Sequence, residues 1–121
     1  MIEYKFYKWK PFDIESYKVK VEKPHEHLSM IFQGNETSTY IQEVLDNVNK
    51  VKSGELEDSS IEVQNGFTAY LFAPNTDPEF TNGGVEIFDS FGPEESLFTI
   101  TLEELIKLLE DFIVFLKENG K

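Results

Sequence analysis

The 121 residues fit one domain, and 40% of them are hydrophobic, which is enough apolar material for a folded core. The chain contains no cysteine, which excludes disulfides, thiolate-bound metals and cysteine nucleophiles and suits a reducing cytoplasm. With 23 acidic residues against 11 basic ones the net charge is −12, and every basic residue is Lys. We therefore expect no binding to nucleic acid or to an anionic membrane.

The charge is not spread evenly along the chain. Residues 1–23 contain six Lys and four acids, for a net charge of +2, whereas residues 24–121 contain five Lys and 19 acids, for −14. A negative field of this size accelerates encounter with a basic protein. The other interpretation is that the acidity only keeps the protein dissolved, and net charge alone does not decide between the two.

The N-terminal part of the chain predicts short strands. Residues 17–21 alternate apolar and polar side chains, and residues 28–32 form a short apolar run. In residues 2–9, Tyr4 and Phe6 alternate with Lys5, although Tyr7 and Trp9 make both faces partly aromatic. The first residues lack the apolar stretch that a signal peptide needs, which together with the absence of cysteine predicts a cytoplasmic protein.

A helix is predicted to follow these strands. The dipeptide Gly34-Asn35 opens it, and apolar side chains recur at helical spacing over residues 40–51. Gly54 lies just beyond the last apolar position, where a glycine ends a helix in the left-handed conformation. A mostly acidic connection over residues 55–60 then leads into the second half of the chain.

Four further strands are predicted in the second half. Residues 61–64 and 67–73 flank Asn65-Gly66, a dipeptide that supplies the two positive-φ positions of a type I′ turn, so a hairpin is expected there. Residues 85–88 and 97–100 predict two more strands, the first of them after a loop rich in proline, glycine and asparagine.

The last helix carries the clearest signals. Thr101 and Glu104 have the spacing of a capping box, which satisfies free amide donors in the first turn. A wide apolar stripe follows, made of Leu102, Leu105, Ile106, Leu108, Leu109, Phe112, Ile113, Val114, Phe115 and Leu116. Two interpretations remain open: the stripe is sandwiched between the sheet and the first helix, which we favour, or its excess face forms a homodimer contact.

The order of these elements predicts the fold class. Short connections between consecutive strands favour antiparallel pairing, and two amphipathic helices need an apolar face to cover. We therefore predict a single α+β domain over residues 1–121, with a mostly antiparallel sheet of about five to seven strands and both helices on one face.

Catalytic chemistry has one weak candidate in this sequence. On an extended segment His25 and His27 would point the same way, like two ligands of a metal ion, but the sequence nominates no third ligand. A pair of solvated histidines is the favoured interpretation. The sequence contains no nucleophile elbow, phosphate-binding loop or dinucleotide fingerprint, so we predict neither an enzyme nor a cofactor or metal site.

Acidic side chains gather in the connections around the second half of the predicted sheet. Loops carried by a rigid sheet are a common location for binding residues. We therefore predict a partner-binding patch made of the carboxylates of Glu55, Glu57, Asp58, Asp77, Glu79, Asp89, Glu94 and Glu95. The alternative is that these residues spread around the surface as solvated turns.

The end of the chain resembles a class of small acidic proteins. Its strand–helix pattern runs from Gly84-Val-Glu-Ile-Phe-Asp89 through Phe98-Thr-Ile-Thr-Leu-Glu-Glu-Leu105 to Phe115-Leu-Lys-Glu118. Together with the size and acidity of the chain, this pattern resembles immunity proteins of contact-dependent inhibition and other polymorphic toxin systems. The resemblance implies tight binding to a cognate toxin domain, often a basic nuclease, whose active site or nucleic-acid surface is blocked. The alternative function is that of another protein-interaction domain, or of a homodimeric accessory domain.

Overall fold

The computed structural model describes residues 2–32, 37–62, 66–89, 92 and 97–121, leaving aside the side chains of Met30, Ile31 and Glu62. The elements in chain order are β1 (Tyr4–Trp9), β2 (Ser16–Val21), a 3₁₀ helix (Glu26–Phe32), α1 (Ser38–Ser53), β3 (Asp58–Glu62), β4 (Phe67–Phe72), β5 (Gly84–Asp89), β6 (Phe98–Ile100) and α2 (Leu102–Glu118). A short 3₁₀ turn, Pro11–Asp13, joins β1 to β2.

The described strands form two antiparallel sheets, which confirms the α+β class and corrects the prediction of a single sheet. β1 and β2 pair only with each other, as a hairpin in which Phe6 lies opposite Val19. The prediction was wrong because this hairpin buries its apolar face against α2: the Phe6 ring lies 5.3 Å from that of Phe112 and 5.3 Å from that of Phe115. A hairpin covered in this way does not need to extend the other sheet.

The second sheet has the order β3-β4-β5-β6, with every strand antiparallel to its neighbours. The predicted hairpin between β3 and β4 is confirmed, and Gly66 in it has φ of 90°. Asn65 lies outside the described residues, so the turn type stays a prediction. Both helices pack on the inner face of this sheet, as predicted, with α1 against β3 and β4 and α2 against β5.

Residues 28–32, which the sequence predicts as a strand, lie in the 3₁₀ helix Glu26–Phe32 instead. The amide of Leu28 donates to the carbonyl of His25 at 3.0 Å, the three-residue spacing of a 3₁₀ turn. Leu28 and Phe32 are both buried, and a spacing of four residues places them on one side of a helical segment. The prediction was wrong because a short apolar run does not distinguish a buried strand from a buried helical turn.

Each end of α1 is fixed by a cap. Thr37 Oγ1 accepts a hydrogen bond from the amide of Tyr40 at 3.2 Å at the first turn. Gly54 ends the helix with φ of 85°, which confirms the left-handed cap. Gly34 and Asn35, where the sequence predicts the opening of the helix, lie outside the described residues.

The capping box of α2 is confirmed and also holds the first strand. Thr101 Oγ1 accepts from the amide of Glu104 at 3.0 Å, and Glu104 Oε1 accepts from the amide of Thr101 at 3.0 Å. Glu104 Oε2 accepts from the amide of Ile2 at 3.0 Å, which ties the residues before β1 to this helix. Although partial burial acts in the opposite direction, these hydrogen bonds lower the pKa of Glu104 below its ordinary value.

Most residues of the apolar stripe of α2 are buried within the chain, which supports the interpretation that the helix is sandwiched. Its buried members are Leu102, Leu105, Leu108, Leu109, Phe112, Ile113 and Leu116. Val114, at 55% exposure, is the stripe residue most open to solvent. A homodimer through α2 stays a prediction, although few residues of the stripe remain exposed to form such a contact.

The hairpin and the second sheet cover different sides of α2. Tyr4 and Phe6 of the hairpin contact the side of α2 that carries Asp111 and Phe115. The second sheet approaches near the start of the helix, where the side chain of Leu102 lies close to Gly83. The outer face of each sheet points away from the helix that its inner face covers.

Candidate functional site

The outer face of the second sheet carries a row of polar side chains. In the strand register Ser60, Tyr70, Glu86 and Thr99 lie side by side across the four strands. The adjacent row contains Ile87, which is fully buried on the inner face. Because side chains alternate along a strand, Tyr70 and Glu86 point away from the helices. Tyr70 is 39% exposed, so the middle of this face is open to solvent.

The loop over residues 74–83 folds back onto one end of this face. Phe80 in the loop contacts Phe72 edge to face, with 4.8 Å between the ring centroids, and the Phe72 ring lies 5.9 Å from that of Tyr70. Gly83 permits the close return of the chain, because it has φ of 75° and a Cβ there would lie 2.6 Å from the Phe72 carbonyl oxygen.

Two carboxylates of this loop, those of Asp77 and Glu79, lie near enough to Glu86 to act on it electrostatically. Partial burial and then the charges of Asp77 and Glu79 raise the pKa of Glu86 above its ordinary value. Asp77 Oδ1 accepts a hydrogen bond from the amide of Glu79 at 2.9 Å, which orders the loop locally. Like charges repel one another, and a cationic group placed beside them would relieve the repulsion.

Tyr70 is held in place by the carboxylate at the start of β3. Its hydroxyl donates to Asp58 Oδ2 at 3.0 Å. This hydrogen bond, followed by burial and by the charges of Asp58 and Glu86, raises the pKa of Tyr70. An open tyrosine ring with a fixed hydroxyl is a side chain that often dominates protein interfaces. We refer to Asp58, Tyr70, Asp77, Glu79 and Glu86 together as the acidic sheet face.

The sequence around the acidic sheet face contains no positive charge. Between Lys52 and Lys107 there are 12 Asp and Glu residues and no Lys, Arg or His. The ion pairs that the structure describes lie elsewhere: Lys52 with Glu103 at 3.8 Å, Lys107 with Asp111 at 2.8 Å and Lys8 with Glu15 at 4.0 Å. A field of one sign on a rigid sheet attracts a partner of the opposite sign over several ångströms.

Four of the eight predicted binding residues lie at one end of the second sheet: Glu57, Asp58, Asp77 and Glu79. The amide of Glu55 contacts Ser53 in the turn after α1 instead. Asp58 lies opposite Phe72, which in turn lies opposite Gly84, where the loop ends. Asp89 lies at the other end of β5, opposite Phe67. Glu94 and Glu95 lie outside the described residues. The structure therefore brings part of the predicted patch together and separates Asp89 from it.

Two residues of the acidic sheet face, Tyr70 and Glu86, were not predicted from the sequence. Glu86 is the one charged residue between Val85 and Phe88 in a strand that otherwise reads as apolar. That interruption was the available signal, since a carboxylate in a central strand must point to an open face. Tyr70 gave no comparable signal, because an aromatic residue in a strand is equally typical of a core.

The two histidines do not form a pair. They lie at a turn and in a 3₁₀ helix, which corrects the extended segment assumed for them. His25 contacts the ring of Phe98 at 5.0 Å and His27 the ring of Phe67 at 5.2 Å, so the two imidazoles pack on strands that β5 separates. Among the described residues there is no cluster of three or more His, Asp or Glu side chains that could hold a metal ion.

The chain was compared with protein families, curated proteins and solved structures. No family model, no curated protein and no solved structure matches the chain. Neither of the two helices described above has the length and apolar character needed to cross a membrane.

Proposed function

We propose that the protein is an immunity-type inhibitor, which binds and neutralises a cognate basic toxin domain through the acidic sheet face. The observation that carries this proposal is the position of Glu86 and Tyr70 on an open sheet face beside the carboxylates of Asp58, Asp77 and Glu79. A rigid strand pair holds the first two residues, so little conformational entropy is lost when a partner binds them.

The chemistry of this face suits binding to a protein that itself binds nucleic acid. A nuclease holds phosphates with Lys and Arg side chains, and a cluster of carboxylates offers those cations an alternative set of partners. The acidic sheet face would thus occupy the surface on which the toxin binds its substrate. No catalytic role for this protein is required, because covering the toxin is sufficient.

The raised pKa of Glu86 supports the same conclusion. After burial, the groups that raise the pKa of Glu86 are the negative charges of Asp77 and Glu79, and no cation is among them. A Lys or Arg side chain from a partner would offset the repulsion among these carboxylates. This repulsion destabilises the free protein, so its removal would contribute to the binding free energy. A single aromatic side chain, Tyr70, would supply the apolar anchor beside the charges.

The proposal is tested by co-expression with the toxin domain that the neighbouring gene encodes. An immunity gene is expected to lie directly after a large toxin gene with a variable C-terminal domain. The wild-type protein should restore growth of cells that express this domain, whereas Glu86→Lys should weaken binding at least about 10-fold and protect poorly.

Glu43→Lys is the matched control, because Glu43 is exposed on α1 and the charge change is the same. It should protect as well as the wild type does. Equal protection by both variants would exclude the acidic sheet face as the interface, and a gene neighbourhood without any toxin gene would count against the function itself.

A further inference from the structure

The second sheet, as far as the structure describes it, ends in β3, a strand with a neighbouring strand on one side only. The strand order β3-β4-β5-β6 makes β3 and β6 the two edges, and β6 has three residues against five in β3. Asp58 and Ser60 of β3 are exposed. An edge strand presents backbone donors and acceptors with which another extended segment can pair.

The hydrogen-bond register identifies the backbone groups of β3 that face outward. The amide of Ala73 donates to the carbonyl of Glu57 at 2.9 Å, and this pair continues the register in which Asp58 lies opposite Phe72. Opposed residues of an antiparallel pair alternate between hydrogen-bonded and non-bonded positions. Asp58 and Ser60 therefore point their amide and carbonyl groups away from β4. Within the part of the chain that the structure describes, no backbone group bonds to them from that side.

The inner face of the fold holds this edge in place. Asn47 on α1 donates a hydrogen bond to the hydroxyl of Ser59, and Ile61 is buried in the core. Side chains alternate along the strand, so Ser60 lies on the outer face instead, in the same row as Tyr70. A segment that pairs with β3 would thus meet an ordered backbone and would widen the outer face by one strand.

Charge determines which kind of segment fits this edge. The charged residues that lead into β3 and begin it are Glu55, Glu57 and Asp58, and the lysines that precede them lie in the last turn of α1. One of these lysines, Lys52, is paired with Glu103 at 3.8 Å. Opposite charges stabilise a pair of strands and like charges destabilise it. A strand that carries Lys or Arg is therefore favoured, whereas β3 of a second copy would place acids against acids.

We propose that β3 is the docking edge for an extended segment of a basic partner protein, which adds to the sheet as a further strand and carries Lys or Arg at alternate positions. The backbone of this segment pairs with Asp58 and Ser60. Every second side chain lies on the outer face, where a Lys or Arg stands across from the carboxylate of Asp58. The inference rests on the proposed function only for the identity of the protein that supplies the segment.

Hydrogen exchange of single amides tests the pairing directly. The probe is a blocked peptide of about seven residues in which Lys alternates with Val. In the free protein the amides of Asp58 and Ser60 should exchange fast, because they point into solvent. At a peptide concentration about ten times Kd, NMR should show that exchange of the Ser60 amide is slowed about 10-fold. The same peptide N-methylated along its backbone keeps the charges and should give no protection.

Ser60→Pro removes the outward amide without changing the charge. An edge strand tolerates proline where the amide makes no bond within the sheet, so this variant should stay folded while its binding of the peptide weakens at least about 10-fold. Thr99→Pro is the matched control on the other edge. The alternation carried across β4 and β5 points the amide of Thr99 away from β5, so its loss should leave peptide binding unchanged.

Four results would overturn the proposal. The first is no binding of the peptide at about 10 mM, and the second is a bound peptide that leaves exchange of the Ser60 amide unchanged. The third is equal binding of the N-methylated peptide, which would assign the contact to charge alone. The fourth is loss of binding in Thr99→Pro with full binding in Ser60→Pro, which would move the contact to β6.

The toxin domain that a neighbouring gene is expected to encode separates this inference from the proposed function. If that domain binds and exchange of the Ser60 amide is unchanged in the complex, the pairing at β3 is wrong and the proposed function stands. If the domain does not bind while the peptide protects Ser60, the proposed function is wrong and β3 remains a docking edge for a basic segment of another protein.

Discussion

At the scale of single residues, Glu86 is a charged side chain within a largely apolar strand. Burial and the charges of Asp77 and Glu79 raise its pKa in the folded protein. The folded state therefore holds this proton more tightly than the unfolded chain does. Ionisation of Glu86 reduces stability as the pH rises from the ordinary glutamate value of 4.5 through the raised pKa, and the reduction is complete at pH values above it.

Replacing the carboxylate of Glu86 by a neutral amide should both stabilise the fold and weaken binding to a basic partner. Glu86→Gln removes the repulsion, so the free energy of unfolding at pH 7 should increase by about 0.5 kcal/mol, and the difference should vanish near about pH 4, where the wild-type group is protonated. Urea unfolding at both pH values measures this effect. The control Glu43→Gln, exposed on α1, should change little at either pH. A loss of stability in Glu86→Gln at pH 7 would contradict the account of this site.

At the scale of elements, the loop over residues 74–83 forms the site by returning to the sheet at Gly83. The turn has φ of 75° there, and a Cβ would lie 2.6 Å from the Phe72 carbonyl oxygen and 2.9 Å from Leu102 Cδ1. The backbone oxygen cannot move without disturbing the end of β4. The loop position therefore depends on a residue without a side chain.

Gly83→Ala should accordingly cost about 3 kcal/mol or more of unfolding free energy. Gly54→Ala is the matched control: its φ of 85° imposes a similar backbone strain, but no atom lies within 4 Å of the added Cβ. It should cost about 1 kcal/mol. Chemical denaturation of both variants isolates the contribution of close packing. Equal losses would show that backbone conformation alone accounts for both.

The elements that the sequence predicted well are those whose signals are local. The capping box at Thr101 and the glycine after α1 specify helix ends through hydrogen bonds a few residues apart. The strand predicted over residues 28–32 was wrong because burial at Leu28 and Phe32 depends on distant neighbours. The division into two sheets depends on the packing of Phe6 on α2, a contact over more than 100 residues.

At the scale of the whole molecule, the charge divides along the chain, with +2 on residues 1–23 and −14 on residues 24–121. The sequence indicated that the acids gather around the second half of the sheet, and the structure brings Asp58, Asp77 and Glu79 together there. The sequence carried a signal for Glu86, which is a charge in an otherwise apolar strand, but none for Tyr70, because which side of a strand is covered depends on where the helices pack.

The most direct test of the central claim is the salt dependence of the rate at which the protein associates with the proposed partner, the basic toxin domain that a neighbouring gene is expected to encode. If the acidic sheet face directs the encounter, the rate constant should fall steeply between about 20 and 500 mM salt. Glu86→Lys should slow association about 10-fold at low salt, whereas Lys5→Glu/Lys20→Glu should not slow it. A rate that is insensitive to salt, with Glu86→Lys binding as fast as the wild type, would contradict the claim.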